Sequence, residues 1–540
     1  MSAHRSDRAR SPERAARRRT DQSARPSPDI QPASPRAATL ALGALLPLIV
    51  LYLSCFKRSL IDDAFITLQY ASSLRHHLHW GFFSDSVTNT ATSPLNVVLT
   101  ALAGVVAPDM VGAAIWLASA EMLTLAVVLG VLSQRIFGDY YFGVLAFLAT
   151  IANPLLMSTI GLETVLYVTL IAAALCLLVL RRWHALPVCL ALLTLTRPDG
   201  VLLFAVVLML ARPGRDDTQT PARGTTHAVA PPGSWSRGSL SFVLIYALCL
   251  LPWYVYAWIH FGSLLPDTFF LKVGNPWNTL TFANGIALYL SRYPWETLLS
   301  LILVPFIPLW FLRDDRAGSH ASVLMRVLGV YVVVYCSGYA LLGPAPYHWY
   351  YAPPVIAGAW MGALALASQY HRRARRSRLG RAALLAVPGL AVLGIATHFL
   401  RADTFPPAEA PIHTNWATHD QYREIGLWLR DHTAPTAKIR LQGEVGTLAF
   451  YSQRELIEPF SCRSELEPFL RRFDAHGGIV GLLMRLNFFW LATPRPCGPF
   501  DDFLVSSPRP VDTVAVPGVV HSWHTSTKWI ADGVVTLVHQ

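Results

Sequence analysis

Apolar runs of helical length recur from residue 38 to residue 400, and they constrain this chain more than any other feature. A helix that crosses a bilayer needs about 20 mostly apolar residues. Such runs lie at about 38–56, 111–133, 140–158, 162–180, 239–260, 294–312, 321–342, 353–369 and 382–400. A shorter pair, 185–196 and 200–211, meets at Thr196-Arg197-Pro198-Asp199-Gly200 and reads as a tight hairpin. Counting the pair as two gives about eleven spans. Charge supports the reading: roughly one residue in ten of 37–400 is charged, against about 25% in an ordinary soluble domain. The expected architecture is therefore an all-α polytopic membrane protein.

The ends differ from the middle. Residues 1–36 are rich in Arg, Ser and Pro without apolar periodicity, and read as a disordered, basic cytoplasmic tail. The run 38–56 follows a long polar segment and lacks a small-residue cleavage pattern, so it reads as a retained span and not a signal peptide. With the tail inside, an odd span count places residues 401–540 outside the cytoplasm. Loop charge agrees: 15 Lys or Arg fall in the proposed cytoplasmic loops, including Arg372, Arg373, Arg375, Arg376, Arg378 and Arg381, against five in the proposed outer loops, the hairpin apart. The run 95–107 is short for a bilayer and reads as a juxtamembrane or re-entrant helix. The net charge of +11 is what cytoplasmic loops and tail produce, which argues against nucleic acid as a partner.

Residues 401–540 are expected to form a small α/β or α+β domain. An amphipathic helical stretch at 419–432 precedes strand-like runs at 437–441 and 455–457, and a Pro- and Gly-rich remainder is expected to add irregular strands. Gly443-Glu444-Val445-Gly446 lacks the spacing of a dinucleotide or phosphate loop. Five of the seven cysteines fall in apolar runs, whereas Cys462 and Cys497 lie in this domain, where a disulfide and two free thiols are both open.

Chemistry concentrates in the first outer loop, 57–110. Directly after the first span the chain reads Ile61-Asp62-Asp63-Ala64-Phe65-Ile66-Thr67, and further on Gly81-Phe82-Phe83 and Thr92-Ser93-Pro94-Leu95. Two adjacent carboxylates at a membrane surface repel each other unless something uses them, although acids before an apolar helical run are also ordinary at a helix N-terminus.

The acid pair beyond the first span, the aromatic juxtamembrane helix and the Pro-Leu helix resemble the GT-C superfamily of polyprenyl-phosphate-sugar-dependent glycosyltransferases. Gly161-Leu162-Glu163-Thr164, the Thr196–Gly200 hairpin, Leu265-Pro266-Asp267-Thr268 with Lys272, the stretch 347–354 and the stretch 443–451 look like landmarks of its actinobacterial terminal arabinofuranosyltransferase branch. The resemblance covers about residues 38–460, and its specificity lies in the combination. Two segments depart from the branch's pattern: the loop after Gly81 lacks an Asn-Pro-Gly-Glu character, and Tyr347-His348-Trp349-Tyr350-Tyr351 stands where an arginine-bearing version is usual.

The resemblance implies an inverting transfer in which Asp62 is the general base, with Asp63 orienting the acceptor or helping to hold a divalent cation (Mg, Mn or Ca). Glu163, at an outer span end, would complete the acidic pocket and join Asp63 as a metal ligand; it also reads as an interfacial carboxylate without a role. A leaving lipid phosphate needs positive charge, for which Lys272 leads, the other reading being a snorkelling lysine. Arg197 is a second cation, although an Arg between half-length helices is expected to pair with Asp199. His348 and Tyr350 are candidate phosphate or sugar contacts, with an interfacial aromatic belt as the alternative for the tyrosine. The implied activity moves a sugar, arabinofuranose first, from a polyprenyl-phosphate donor to a cell-envelope glycan at the outer face of a bacterial plasma membrane. A hexose or aminosugar transferase, a polyprenyl-sugar flippase and an idle assembly subunit stay open.

Overall fold

The computed structural model describes residues 35–83, 86–211, 237–312, 320–374, 386, 406–474, 477–507 and 518–539. The chain divides into two compact units, Met1–Pro47 and Leu48–Gln540, and the geometry that follows belongs to the second. The basic tail, the last expected span at 382–400 and most of the arginine run beyond Arg373 lie outside the described residues.

Local sequence sets where the helices start and stop. The first long helix, α1 (Pro35–Ser54), leads into α2 (Asp62–His77), whose first turn carries both acids, the favoured charge at a helix N-terminus. Leu78 ends α2 in the left-handed conformation at φ 51°. Next, α3 (Pro94–Ala103) is capped by Ser93 and α4 (Met110–Phe137) by Asp109, whose side chains accept from Asn96 and Gly112. The run 140–158 does not cross as one helix: α5 (Tyr141–Ile151) stops, and Asn153 caps the single turn α6 (Pro154–Met157), because a residue before proline disfavours the helical conformation. Then come α7 (Thr164–Val179), α8 (Ala185–Thr196) and α9 (Gly200–Ala211). The hairpin between α8 and α9 is real. Arg197 is extended before Pro198, and Gly200 approaches the α8 backbone so closely that a Cβ would lie 2.7 Å from the Leu193 carbonyl carbon.

The remaining helices of this module are α10 (Arg237–Phe261), the short α11 (Asp267–Lys272), α12 (Gly285–Arg292), α13 (Pro294–Ser300), α14 (His320–Leu342) and α15 (Ala352–Ala374). After α13 the expected span 294–312 continues as a 3-10 segment, Val304–Leu312, since Pro305 and Pro308 remove α-helical donors. Among the described residues five segments are long and apolar enough to cross a membrane, and six of the shorter apolar helices are part of the same helical module. The chain is a multi-pass membrane protein. Its spans occupy very different positions: the segment ending α15 is 89% buried inside the protein, whereas α10 is 17% buried. The α15 side is so tightly packed that a Cβ on Gly362 would meet the Leu303 carbonyl oxygen.

The C-terminal domain carries a mixed five-stranded sheet in the order β2-β1-β3-β5-β4. Strands β1 (Lys438–Gln442), β2 (Glu455–Ile457) and β3 (Asp502–Ser507) run parallel, while β5 (Gly533–His539) is antiparallel to β3 and to β4 (Val519–Thr525). Helix α16 (His419–His432) has a complete capping box from Thr418 and Gln421, and α17 (Gly446–Ser452) follows the β1 turn. The remainder expected to hold only irregular strands also contains two helices, α18 (Arg463–Asp474) and α19 (Gly478–Asn487). Cys462, just before α18, forms a disulfide with Cys497 in the loop before β3.

Candidate active site

The two adjacent acids point to different parts of the molecule. Asp62 is 5% exposed, and its carboxylate accepts backbone N–H groups from the C-terminal domain, Gly446 at 2.9 Å and Thr447 at 2.7 Å. It thereby caps α17 from another domain. Gly446 is required for the approach, since a Cβ there would sit 2.2 Å from the Asp62 carbonyl oxygen. The segment Gly443–Gly446, without a nucleotide-binding spacing, is thus the turn that seats the C-terminal domain on the first acid. Behind it, Glu444 accepts from the Asn415 amide at 2.7 Å and from the Trp416 N–H, and the Asn415 side chain in turn accepts the Asp62 N–H. Burial raises the Asp62 carboxyl to about 6, against the pull of the Thr447 N–H and with the Asp63 charge adding to it. Burial and the neighbouring Asp62 charge push Glu444 to about 8.

Asp63 turns toward Lys272, with Oδ1 3.2 Å from Nζ. The ammonium lies over the rings of Tyr347 at 4.7 Å, Trp349 at 5.0 Å and Phe460 at 5.6 Å, an aromatic cage from two domains. Burial opposes the lysine charge, but Asp63 and the tyrosines Tyr350 and Tyr347 more than offset it and hold the pKa above the usual lysine value. Helix α11 fixes this lysine. At its start Asp267 is fully buried, accepts the Asn89 N–H at 2.8 Å and returns its own N–H to the Asn89 carbonyl at 2.9 Å. Thr268 bonds Thr92, and the Thr90 hydroxyl reaches the Phe460 carbonyl at 2.7 Å. The first inter-span segment is thus fastened to α11 and to the C-terminal domain around Lys272.

Arg197 forms a second centre inside the membrane module. Its guanidinium bonds Asp199 at 2.9 Å, Glu163 at 3.3 Å and the Tyr339 and Tyr335 hydroxyls at 2.9 and 3.4 Å, and Tyr339 donates to Asp199 at 2.6 Å. Tyr350 bridges the two centres: its half-buried ring lies 5.5 Å from the Arg197 guanidinium carbon, tilted against Tyr339 and edge-on to Tyr347. His348 stands apart, fully buried with Nε2 3.4 Å from the Ser158 carbonyl and edge-on to Tyr289.

The structure therefore brings Asp63, Lys272, Tyr350, Arg197 and Glu163 into one chain of contacts, places Asp62 at its border with the C-terminal domain, and leaves His348 beneath it. Sequence reasoning missed Trp349, Phe460 and Tyr339 as functional neighbours. Only the aromatic density of 347–351 hinted at a cage. Of the two acids expected to hold a divalent cation, Asp63 faces Lys272 and Glu163 faces Arg197, and among the described residues no three acid, His or Cys side chains converge on one point. Two cavities of about 530 and 470 Å³ lie between the first inter-span segment and the C-terminal domain, one walled by Phe83, His260, Arg463 and Trp490, the other by Gln69, His77, Tyr451 and Arg454; neither has Asp62, Asp63 or Lys272 in its wall.

No protein-family model and no functionally curated protein matches this sequence. Solved structures do match in shape. ArnT from Cupriavidus metallidurans aligns in its apo state with a TM-score of 0.55 at 13% identity, and bound to undecaprenyl phosphate with 0.52 at 14% identity; each alignment covers 93% of this chain and 98% of ArnT. The arabinofuranosyltransferase AftD from Mycobacteria aligns with a TM-score of 0.48 at 13% identity, over 93% of this chain and 40% of that one. These neighbours are GT-C glycosyltransferases, and this chain shares the ArnT fold.

Proposed function

We propose that this protein is a membrane glycosyltransferase that moves a sugar from a polyprenyl-phosphate donor to a cell-envelope glycan, with inversion at the anomeric carbon. The observation that carries the reading is the placement of the Asp62–Asp63 pair where three parts meet: the first inter-span segment, the Lys272 helix and the C-terminal domain. A caged, permanently charged lysine beside an ionisable acid pair is what a phosphate leaving group and an acceptor hydroxyl need in one place. The shared fold with ArnT, solved with undecaprenyl phosphate, supports a polyprenyl-phosphate donor. Arabinofuranose rests on the sequence motifs alone, with a hexose or aminosugar as the alternative.

In this reading the acceptor hydroxyl oxygen attacks the anomeric carbon and its proton passes to Asp62. Each Asp62 oxygen accepts one backbone N–H and keeps a lone pair for that proton, and a pKa of about 6 leaves it ionised yet basic near neutrality. The bond from the anomeric carbon to the phosphate oxygen breaks on the opposite face, and the lipid phosphate leaves toward Lys272. Asp63 positions that lysine. The C-terminal domain lies on the extracytoplasmic side of a bacterial plasma membrane, where lipid-linked donors meet envelope glycans.

The test offers purified protein in proteoliposomes a panel of polyprenyl-phosphate pentoses, hexoses and aminosugars with envelope glycans, and identifies products by mass spectrometry and NMR. A new glycosidic bond of inverted configuration is expected, at a rate unaltered by chelators. Donor movement across the membrane without any glycan product would make the protein a flippase.

A further inference from the structure

Helix α19 has apolar residues on faces that serve different purposes. One face, Gly481, Met484 and Phe488 in turn, packs on the cluster formed by Phe270, Leu271, Leu466 and Leu470. On the other, Ile479, Leu482, Leu483 and Leu486 recur at helical spacing and are 67%, 47%, 54% and 53% exposed; Phe489 and Trp490 extend the stripe at 66% and 51%. Six large apolar side chains in a row, each about half or more exposed although the Trp490 ring also meets Trp258 edge-on, are costly in water and mark a surface that something covers.

The attachment of the helix says what covers it. The indole N–H of Trp258, in the last turn of the membrane helix α10, donates to the Leu486 and Asn487 carbonyls at 3.2 and 3.1 Å. Asn487 answers by accepting the Leu264 N–H at 2.8 Å and donating to the Ser263 hydroxyl at 3.0 Å. Gly262, at φ 69°, lets the two backbones meet, for a Cβ there would lie 2.5 Å from the Leu491 Cα. The end of α19 is thereby locked to the end of α10, a helix long and apolar enough to cross a membrane. Helix α10 itself exposes large apolar side chains, Leu251 and Ile259 at 55% and 60% among them. The only charged residue of α19, Arg485, is exposed and long enough to reach the headgroups.

We propose that α19 with Phe489 and Trp490 is a monotopic anchor: it lies in the leaflet facing the C-terminal domain, its stripe among acyl chains, and seats that domain on the membrane beside the cavity of about 530 Å³ that Trp490 helps to wall. The anchor needs α10 to be a membrane span and does not depend on the transferase reading. The test places the full chain in phospholipid nanodiscs containing a lipid with a photoreactive diazirine on its acyl chain and maps adducts by mass spectrometry, with α10 as the internal positive control. Adducts are expected in both α10 and 478–490. The variant carrying Ile479→Asn, Leu483→Asn and Leu486→Asn, all solvent-side changes, should lose the second set and keep the first. Labelling of α10 without 478–490 overturns the proposal, as does labelling of 478–490 that survives the triple substitution. Copy-to-copy cross-links through the stripe in place of lipid adducts would make it a dimer interface and overturn it equally.

Discussion

The Arg197 and Lys272 centres each join a cation to carboxylates and aromatic rings, yet they differ in how fully the cation is used. Arg197 is 3% exposed at its side chain, and its donors are spent on two carboxylates and two tyrosine hydroxyls, all from the membrane module. Among the described residues Lys272 pairs with one carboxylate, itself partly exposed, and its remaining donors face ring surfaces from both domains. A saturated buried network fastens helices; an ammonium with spare donors at a domain junction can take a phosphate. In the proposed function, the same chemistry therefore serves structure in one place and a ligand in the other.

Removing each cation is the sharpest way to break that contrast. Arg197→Ala leaves Glu163 and Asp199 buried without their partner and should cost about 3–5 kcal/mol, read as a large fall in thermal stability in detergent with Arg197→Lys intermediate. A variant of undiminished stability would move Arg197 out of the framework. Next in size, Asp62→Asn should lower turnover by about 10²-fold or more while donor binding persists, measured by product formation and by lipid-donor binding on the same preparation. The amide also turns a donor toward Gly446 or Thr447, so a loss of stability of about 1–3 kcal/mol accompanies it. Normal turnover in folded protein would defeat the base assignment.

Lys272→Ala should raise the donor KM or lower kcat/KM by about tenfold with little loss of stability, and Lys272→Arg should recover part of it because the charge persists. Equal destabilisation by Lys272→Ala and Arg197→Ala would erase the difference between the centres. The smallest effect concerns pH. With Asp62 at about 6, kcat/KM should rise as pH increases through about 6, a limb that Glu444→Gln should leave in place because Glu444, at about 8, is itself neutral there. Stability should move oppositely. Both acids have folded values above their unfolded ones, so their contributions are present at low pH and are lost as pH rises through about 6 for Asp62 and about 8 for Glu444. Melting curves across this range, with and without Glu444→Gln, check the sign.

Legibility followed the length of each pattern. Long uniform apolar runs announced most spans, and the α8–α9 hairpin was readable because proline and glycine interrupt it within five residues. The run 140–158 was misread as one helix, since its composition is apolar throughout and only Asn153-Pro154 marks the break. Helix α19 was missed for a related reason: apolar on both faces, it lacks the one-sided stripe that identifies a helix buried on a single side. The Arg197–Asp199 pair was legible because its members are two residues apart, whereas the partners of Asp62, Asp63 and Lys272 were not.

Composition, hydrophobic period and turn residues determine that this chain enters a membrane many times, where its helices break, and that two acids open α2. Those are local properties, dictated by solvent transfer and by backbone sterics over a few residues. Which acid meets the C-terminal domain and which meets a lysine was decided only by folding, because Asp62 and Thr447 are 385 residues apart and Asp63 and Lys272 are 209 apart. Neighbouring side chains at the start of one helix project in different directions, and the partner each one meets depends on packing between distant segments that no local pattern encodes.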